Sequence, residues 1–331
     1  MDRINVIILA AGKGERMKSE RPKVLHEIMG KPMIGYVIER AKELYPENIS
    51  VVVGFGRDKL IPFLKDYRVD FAVQNDQKGT AHAVLCAQNA LMGGDVLVLY
   101  GDVPLMDTLT LMEFMDFYRK RKTITFMTTS IDDPTGYGRV LMEGEEIKAI
   151  IEDSDATYEE KSVKEINTGI CVIPEEHLVL LKEIKDDNKK GEFYLTDICK
   201  IAREKKIRVA GFHYPEPYYV LGINTRKELM EANIIMRDRI NLLHLKNGVT
   251  FIDKNVYIDM DVTVGRDTIL YPNVYILGRS MIGRNVTIGP NTVIKDCIIH
   301  DNVTIKGFAW IDGVEIKDKD KVEVFEKKIK A

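Results

Sequence analysis

The chain of 331 residues is 45% hydrophobic, 30% charged and carries a formal net charge of −3. This length and composition fit two folded domains and exclude a disordered chain, while the near-balanced charge excludes a surface that binds polyanions as a whole, so no nucleic-acid partner is expected. No run approaches 18 consecutive apolar residues and the first residues run straight into a strand pattern, so no membrane partner is expected and the expected location is cytoplasmic.

The first strand pattern, INVIILA at 4–10, leads into LAAGKGERMKSERPK at 9–23. Glycines after a strand let backbone N–H groups approach phosphate oxygens closely. Two familiar versions do not fit, because the third glycine of GxGxxG is missing and no GK[ST] follows at the right spacing. The loop is set apart by its cations: Lys13, Arg16, Lys18, Arg21 and Lys23 stand against Glu15 and Glu20. That density suits a triphosphate; the competing reading is a solvated connection.

Next, KPMIGYVIERAKEL predicts a helix with Pro32 in its first turn and Met33, Val37, Ile38, Ala41 and Leu44 on one face. ISVVVGF, TAHAVLCAQNAL, DVLVLYGD and TLTLMEFMDFYRKR continue an alternation of strand and helix that predicts a Rossmann-like, doubly wound, mostly parallel α/β sheet. Asp102 closes the apolar run DVLVLYGD, which puts its carboxylate at the carboxyl edge of the sheet, where open α/β folds bind ligands. A helix is predicted over 225–246, opened by Thr225 with Glu228 as a capping box and followed by Gly248.

From residue 252 the period becomes six. Ile252, Ile258, Val264, Leu270, Ile276, Ile282, Ile288 and Ile294 recur at that spacing, and after a one-residue slip the series resumes at Ile299, Ile305 and Ile311. A helix cannot keep period six on one face and a plain strand alternates every two, so the series predicts a parallel β-helix with these aliphatics inside. The charged remainder, IKDKDKVEVFEKKIKA, reads as a solvated closing segment. The expected domains are 1–224, a nucleotide-handling α/β domain; 225–250, a linking helix; and 251–331, a short β-helix with a charged end. Cys86, Cys171, Cys199 and Cys297 are far apart, which argues against a zinc site or disulfide framework, and six scattered histidines form no ligand pair.

LAAGKGxRM followed by RPK resembles the signature loop of sugar-1-phosphate nucleotidyltransferases. QNDQKGTAHAV, LYGDVPL, DDPTGYGRV, IIEDSDAT, EINTGI, GEFYLTDI and GINTR, in that order and ahead of hexapeptide repeats, narrow the resemblance to the bacterial N-acetylglucosamine-1-phosphate uridylyltransferase family. The resemblance implies a left-handed β-helix, UTP and a sugar 1-phosphate as substrates, and Mg2+ as cofactor. It implies Arg16 and Lys23 as catalytic phosphate ligands and Asp102 and Asn224 as metal ligands. Leu9, Ala10, Ala11, Gly12, Gln74, Gly79 and Thr80 map onto the nucleotide side, and Tyr100, Gly101, Gly138, Glu152 and Asn167 onto the sugar side. Another sugar, such as glucose 1-phosphate, or dTTP in place of UTP, stays open, as does a non-catalytic scaffold that keeps the fold.

Family members are bifunctional, with a longer β-helix that acetylates glucosamine 1-phosphate. Where they read FARLRPG this chain reads FAWIDGV at 308–314, which puts Asp312 at the position of a substrate-binding Arg. Acetyltransferase activity is therefore expected to be absent. Such coils pack as trimers in relatives, so a homo-oligomer through the β-helix is expected, with less surface to sustain it.

Overall fold

The computed structural model describes residues 3–88, 91 and 93–330; the expected reach of the third helix over Asn89 and Ala90 lies outside them. The chain divides into two compact units, Met1–His26 with Met33–Thr225, and Glu27–Pro32 with Arg226–Ala331.

In chain order the elements run β1 Ile4–Ala10, β2 Glu27–Ile28, β3 Lys31–Pro32, α1 Met33–Lys42, β4 Asn48–Val53, α2 Arg57–Tyr67, β5 Asp70–Val73, α3 Thr80–Ala87 and β6 Asp95–Tyr100. They continue with α4 Thr108–Arg121, β7 Ile124–Ser130, β8 Arg139–Glu143, β9 Glu146–Ile151, β10 Glu165–Ile173, α5 Ile198–Glu204, β11 Val209–His213, α6 Pro217–Val220 and α7 Arg226–Lys246. Nine of the strands form one sheet in the order β5-β4-β1-β6-β10-β7-β11-β9-β8. β5, β4, β1 and β6 are mutually parallel, whereas β10 runs antiparallel between β6 and β7, and β8 and β9 form an antiparallel hairpin at the far edge.

β1 shows why the sheet is covered twice. Val6 and Ile8 enter a core shared with Ile34 and Val37 of α1 and Phe114 of α4, while Ile7 and Leu9 enter the opposite core with Val84 of α3 and Ile198 of α5. Successive side chains point to opposite faces, so a strand apolar at every position must be buried on both. Met33, Val37, Ile38 and Ala41 of the predicted face are buried, while Leu44 lies half-buried beyond the end of α1 and Pro32 ends the two-residue strand β3 instead of opening the helix. Its missing N–H suits that short edge strand equally well.

In the second unit α7 buries Ala232, Met236 and Ile240, one turn apart, and Asn241 Nδ2 donates to the Val256 carbonyl at 3.1 Å. The helix expected as a linker thus packs within this unit. Beyond it, short strands stack in three parallel sheets as a left-handed parallel β-helix. Val256 lies beside Val274 and Val293 beside Trp310, steps of 18 and 17 residues, so the slip in the sequence shortens one coil without breaking the stack.

Ile258, Leu270, Ile276, Ile288, Ile294, Ile305 and Ile311 are fully buried inside. Val264 is only half-buried, and two further expectations fail. Ile252 is 54% exposed because Phe251, one residue earlier, pairs with Leu270, and the charged end does not merely cap the coil: Ile316 and Val322 continue the inward row, paired with Ile299 and Ile305. Most of the charges there lie on the turns and connections between short strands. A second inward row, Val256, Val262, Thr268, Val274, Ser280, Val286, Thr292, Cys297, Val303 and Ala309, sits two residues before the first. Small or β-branched side chains fit that tight position. The corners fall on left-handed residues such as Asn273, Asn285, Asn291 and Asn302, and Asn273 Nδ2 donates to Asn291 Oδ1 at 3.0 Å on the next coil. Asparagine tolerates that conformation and stacks into a ladder.

Candidate active site

Parallel alignment of β1 with β4 and β6 brings their carboxyl ends together, and a cavity of about 560 Å³ opens there. Leu9, Ala10, Ala11, Gly12, Lys23, Gln74, Gly79, Thr80, Tyr100, Asp102 and Asn224 line it. Eleven of the residues singled out from sequence therefore share one cavity. Arg16 does not line it; it is exposed on the 3-10 turn Glu15–Met17.

Three side chains form the charged centre of this cavity. The Lys23 ammonium donates to Asp102 Oδ2 and, at 2.9 Å, to Asn224 Oδ1. Two loops hold the acceptors: the Ile223 N–H donates to the Asp102 carbonyl at 2.9 Å, and Asn224 Nδ2 donates to the Gly222 carbonyl at 2.9 Å. Gly14 makes room for Lys23 to reach them. It sits at φ +63°, and a Cβ there would stand 2.7 Å from Lys23 Cβ, so any side chain would push the lysine stem off this path. Gly12, by contrast, has open space where a Cβ would lie.

A carboxylate oxygen and an amide oxygen converging on one cation are the hard donors that suit a small divalent metal, whose remaining positions water and substrate phosphates fill. No cluster of three His, Cys, Asp or Glu residues occurs among the described residues, so any metal at this site depends on such a mixed set.

On the opposite wall Gly79 caps α3 at φ +111°, and a Cβ there would meet the Phe193 carbonyl oxygen at 2.5 Å and its nitrogen at 2.7 Å. The Phe193 segment is tied down in turn by Ala81 N–H to Phe193 O at 2.9 Å and Phe193 N–H to Lys78 O at 2.8 Å. Gly79→Ala should therefore cost about 2 kcal/mol or more and lower the melting temperature by at least ~4 °C in a thermal melt.

Gly138, Glu152 and Asn167 form a separate group. Asn167 N–H donates to the Gly138 carbonyl at 2.9 Å, and a Cβ on Gly138 would lie 3.3 Å from Glu152 Oε1. Asn167 Oδ1 accepts from the Gly169 N–H at 3.0 Å, which fixes its amide. Glu152 lines a neighbouring cavity of about 620 Å³ with Tyr194 and Thr196, and its carboxylate accepts from the Thr196 hydroxyl at 3.1 Å. Tyr100 belongs to the first cavity, yet its phenol is close enough to feel the charges of both Glu152 and Asp102, and burial holds it far above the usual phenol range. Gly101 stays at the sheet edge, its N–H bonded to the Leu9 carbonyl at 2.9 Å.

Burial raises the Glu152 carboxyl above the usual carboxylate range, with the Thr196 bond opposing. The ionised form is thus the one folding penalises; the penalty is absent below the ordinary carboxylate pKa and complete above the raised one. Glu152→Gln should raise the melting temperature at pH 8 and leave it nearly unchanged at pH 4, as melts at the two pH values would show.

Sequence reasoning missed Gln77, Tyr137, Thr168 and Glu192, which also line the first cavity. All four lie inside or beside quoted motifs, QNDQKG, GYGR, INTG and GEFY, so the motifs located them without ranking them. It also missed Arg139, 2% exposed, which donates to the Tyr137 carbonyl and to Asp153 Oδ1 at 2.9 Å and so clamps the GYGR turn.

Residues 6–163 match the MobA-like NTP transferase domain, and 261–296 and 279–313 match the bacterial transferase hexapeptide of six repeats. The chain is 43% identical over 322 residues to the bifunctional protein GlmU of Geotalea uraniireducens, covering 95% of this chain and 70% of that protein. It is 44% identical over 307 residues to the bifunctional protein GlmU of Thermotoga maritima, covering 91% and 67%. Among solved structures, a UDP-glucose pyrophosphorylase complexed with UDP-glucose superposes with a TM-score of 0.59 at 22% identity, covering 72% of this chain and 100% of that one. At that identity the likeness extends to the fold.

Proposed function

The chain belongs to the GlmU family and is a sugar-1-phosphate nucleotidyltransferase, and from that premise we propose that it transfers UMP from UTP to N-acetylglucosamine 1-phosphate, releasing pyrophosphate. The observation that carries this reading is the Lys23, Asp102 and Asn224 triplet facing Gln74 and Gly79 across one cavity. A phosphate-handling cluster and a base-reading amide then line the same cavity.

The attacking group is the sugar phosphate, already ionised at neutral pH, so no strong general base is needed. The reaction rests on holding that oxygen in line with the α-phosphorus and on offsetting charge on the α-phosphate and leaving pyrophosphate. Lys23 supplies a fixed positive charge, and the N–H groups of the loop that follows β1 offer donors to phosphate oxygens. Enzymes of this kind work with a divalent metal, which we take to be Mg2+; Asp102 and Asn224 would hold it, and its charge would add to that of Lys23. Arg16, exposed here, would reach the triphosphate by movement of its 3-10 turn. Tyr100, Gly138, Glu152 and Asn167 receive the sugar, with Glu152 accepting from hydroxyls.

The sugar assignment is tested by kcat/KM for N-acetylglucosamine 1-phosphate against glucose 1-phosphate. A preference of tenfold or more for the acetamido sugar supports it, and the reverse preference overturns it. We also read the coil as lacking acetyltransferase activity, with Asp312 placing negative charge where an anionic sugar phosphate would need positive. Purified protein should consume no glucosamine 1-phosphate with acetyl-CoA. An outward ladder of Tyr257, Tyr275, Val293 and Trp310, with Tyr275 and Trp310 44% and 46% exposed, supports a homotrimer through the coil, and sedimentation at micromolar concentration would show it. No described helix is long and apolar enough to cross a membrane.

A further inference from the structure

We infer that His82 is a positioning residue for base recognition: it fixes the orientation of the Gln74 side-chain amide and thereby determines that the cavity presents a hydrogen-bond acceptor to the base. Gln74 is 3% exposed and lines the cavity. Its Nε2 lies 3.0 Å from the Gly79 carbonyl and 3.0 Å from His82 Nδ1. A carbonyl oxygen only accepts, so the amide face toward Gly79 must be the nitrogen; the reverse orientation would set oxygen against oxygen. His82 completes the arrangement. Its Nδ1 accepts the second amide proton when the ring proton sits on Nε2, and Nε2 faces Cys86 Sγ at 3.7 Å, a weak acceptor. Both amide protons are then directed away from the cavity, and Oε1 is what Gln74 offers to it.

An acceptor at that place suits the N3–H of uracil or thymine. Cytosine presents a lone pair at the same ring position and would meet oxygen against nitrogen, both acceptors. Had the amide been turned, the preference would invert. Gly79 holds one amide proton in any case, but its carbonyl also accepts the Ala83 N–H at 3.1 Å, so His82 is the partner dedicated to this amide. The two sit eight residues apart, on the strand-to-helix connection and on α3, inside the motif QNDQKGTAHAV, which contains both without showing that they bond. A histidine that the sequence placed in no ligand pair acts on specificity through Gln74.

This inference rests on Gln74 reading the base, as in the proposed function, and the experiment separates the two. kcat/KM for UTP and CTP is measured on wild type, His82→Leu, His82→Asn and Gln74→Ala, because a ratio of two nucleotides does not depend on the fraction of folded protein. His82→Leu should raise KM for UTP about five- to tenfold with kcat little changed and narrow the UTP:CTP preference by a similar factor. His82→Asn, which places an amide oxygen near the position of Nδ1, should restore most of both. A ratio within twofold of wild type in His82→Leu, or His82→Asn failing as badly as His82→Leu, overturns the role of His82. An unchanged ratio in Gln74→Ala overturns the reading of Gln74 and the inference with it.

Discussion

Asp102→Asn is expected to fold and to lose on the order of 10²- to 10³-fold in kcat, with a higher Mg2+ concentration needed for half-maximal rate. The substitution keeps an oxygen at the end of β6 and removes only its charge. That charge now faces the Lys23 ammonium, and both side chains are mostly buried, 12% and 14% exposed. Removing one partner of a deeply buried pair is strongly destabilising, but this pair borders an open cavity in which Lys23 can be hydrated and still bond Asn224. The melting temperature should thus stay within about 5 °C of wild type. Near-normal turnover would remove Asp102 from the metal site, whereas a collapsed fold would recast it as a structural anchor.

Lys23→Ala should also lose on the order of 10²-fold in kcat, with the opposite effect on metal dependence. Lys23 donates to the same two oxygens that would hold the metal, so ammonium and metal compete for them. Deleting the ammonium frees both donors, and the Mg2+ concentration for half-maximal rate should stay level or fall. The distinction is informative because both variants are expected to be slow. If Lys23→Ala instead needs more Mg2+, as Asp102→Asn does, the lysine serves to hold the ligands in place, and its assignment to substrate phosphate fails. Metal titrations followed by pyrophosphate release read both variants in one assay.

Much of this site was legible in the sequence for a simple physical reason: open parallel sheets gather the ends of their central strands at one edge. Ala11 and Gly12, Gln74 and Asp102 follow β1, β5 and β6, and parallel pairing of β5, β4, β1 and β6 brings them together. Lys23 and Asn224 lie 201 residues apart and no local pattern joins them, yet each sits in a motif whose resemblance pointed to phosphate and metal. The period of six showed the β-helix, since only a coil with flat sides repeats so. It did not show the register of the first strand, because Ile252 keeps the spacing while Phe251 takes the place beside Leu270.

The antiparallel placement of β10 between β6 and β7 was hidden, because an apolar strand buried on both faces reads the same in either direction. The charged end misled for a related reason. Its lysines and glutamates dominate the composition, while the inward row needs only Ile316 and Val322 at the correct spacing. Arg16 shows the limit at the site itself, since a loop motif names a cation without fixing which way an exposed 3-10 turn directs it.

The central claim is that an ionised sugar phosphate, held beside Lys23, Asp102 and Asn224, displaces pyrophosphate from UTP. Its most direct test is to incubate the purified chain with Mg2+, UTP and N-acetylglucosamine 1-phosphate and to quantify pyrophosphate and UDP-N-acetylglucosamine together. The expected result is equal amounts of the two products, with neither formed when the sugar phosphate is omitted. Pyrophosphate release independent of the sugar phosphate, or no nucleotide sugar at all, would contradict it.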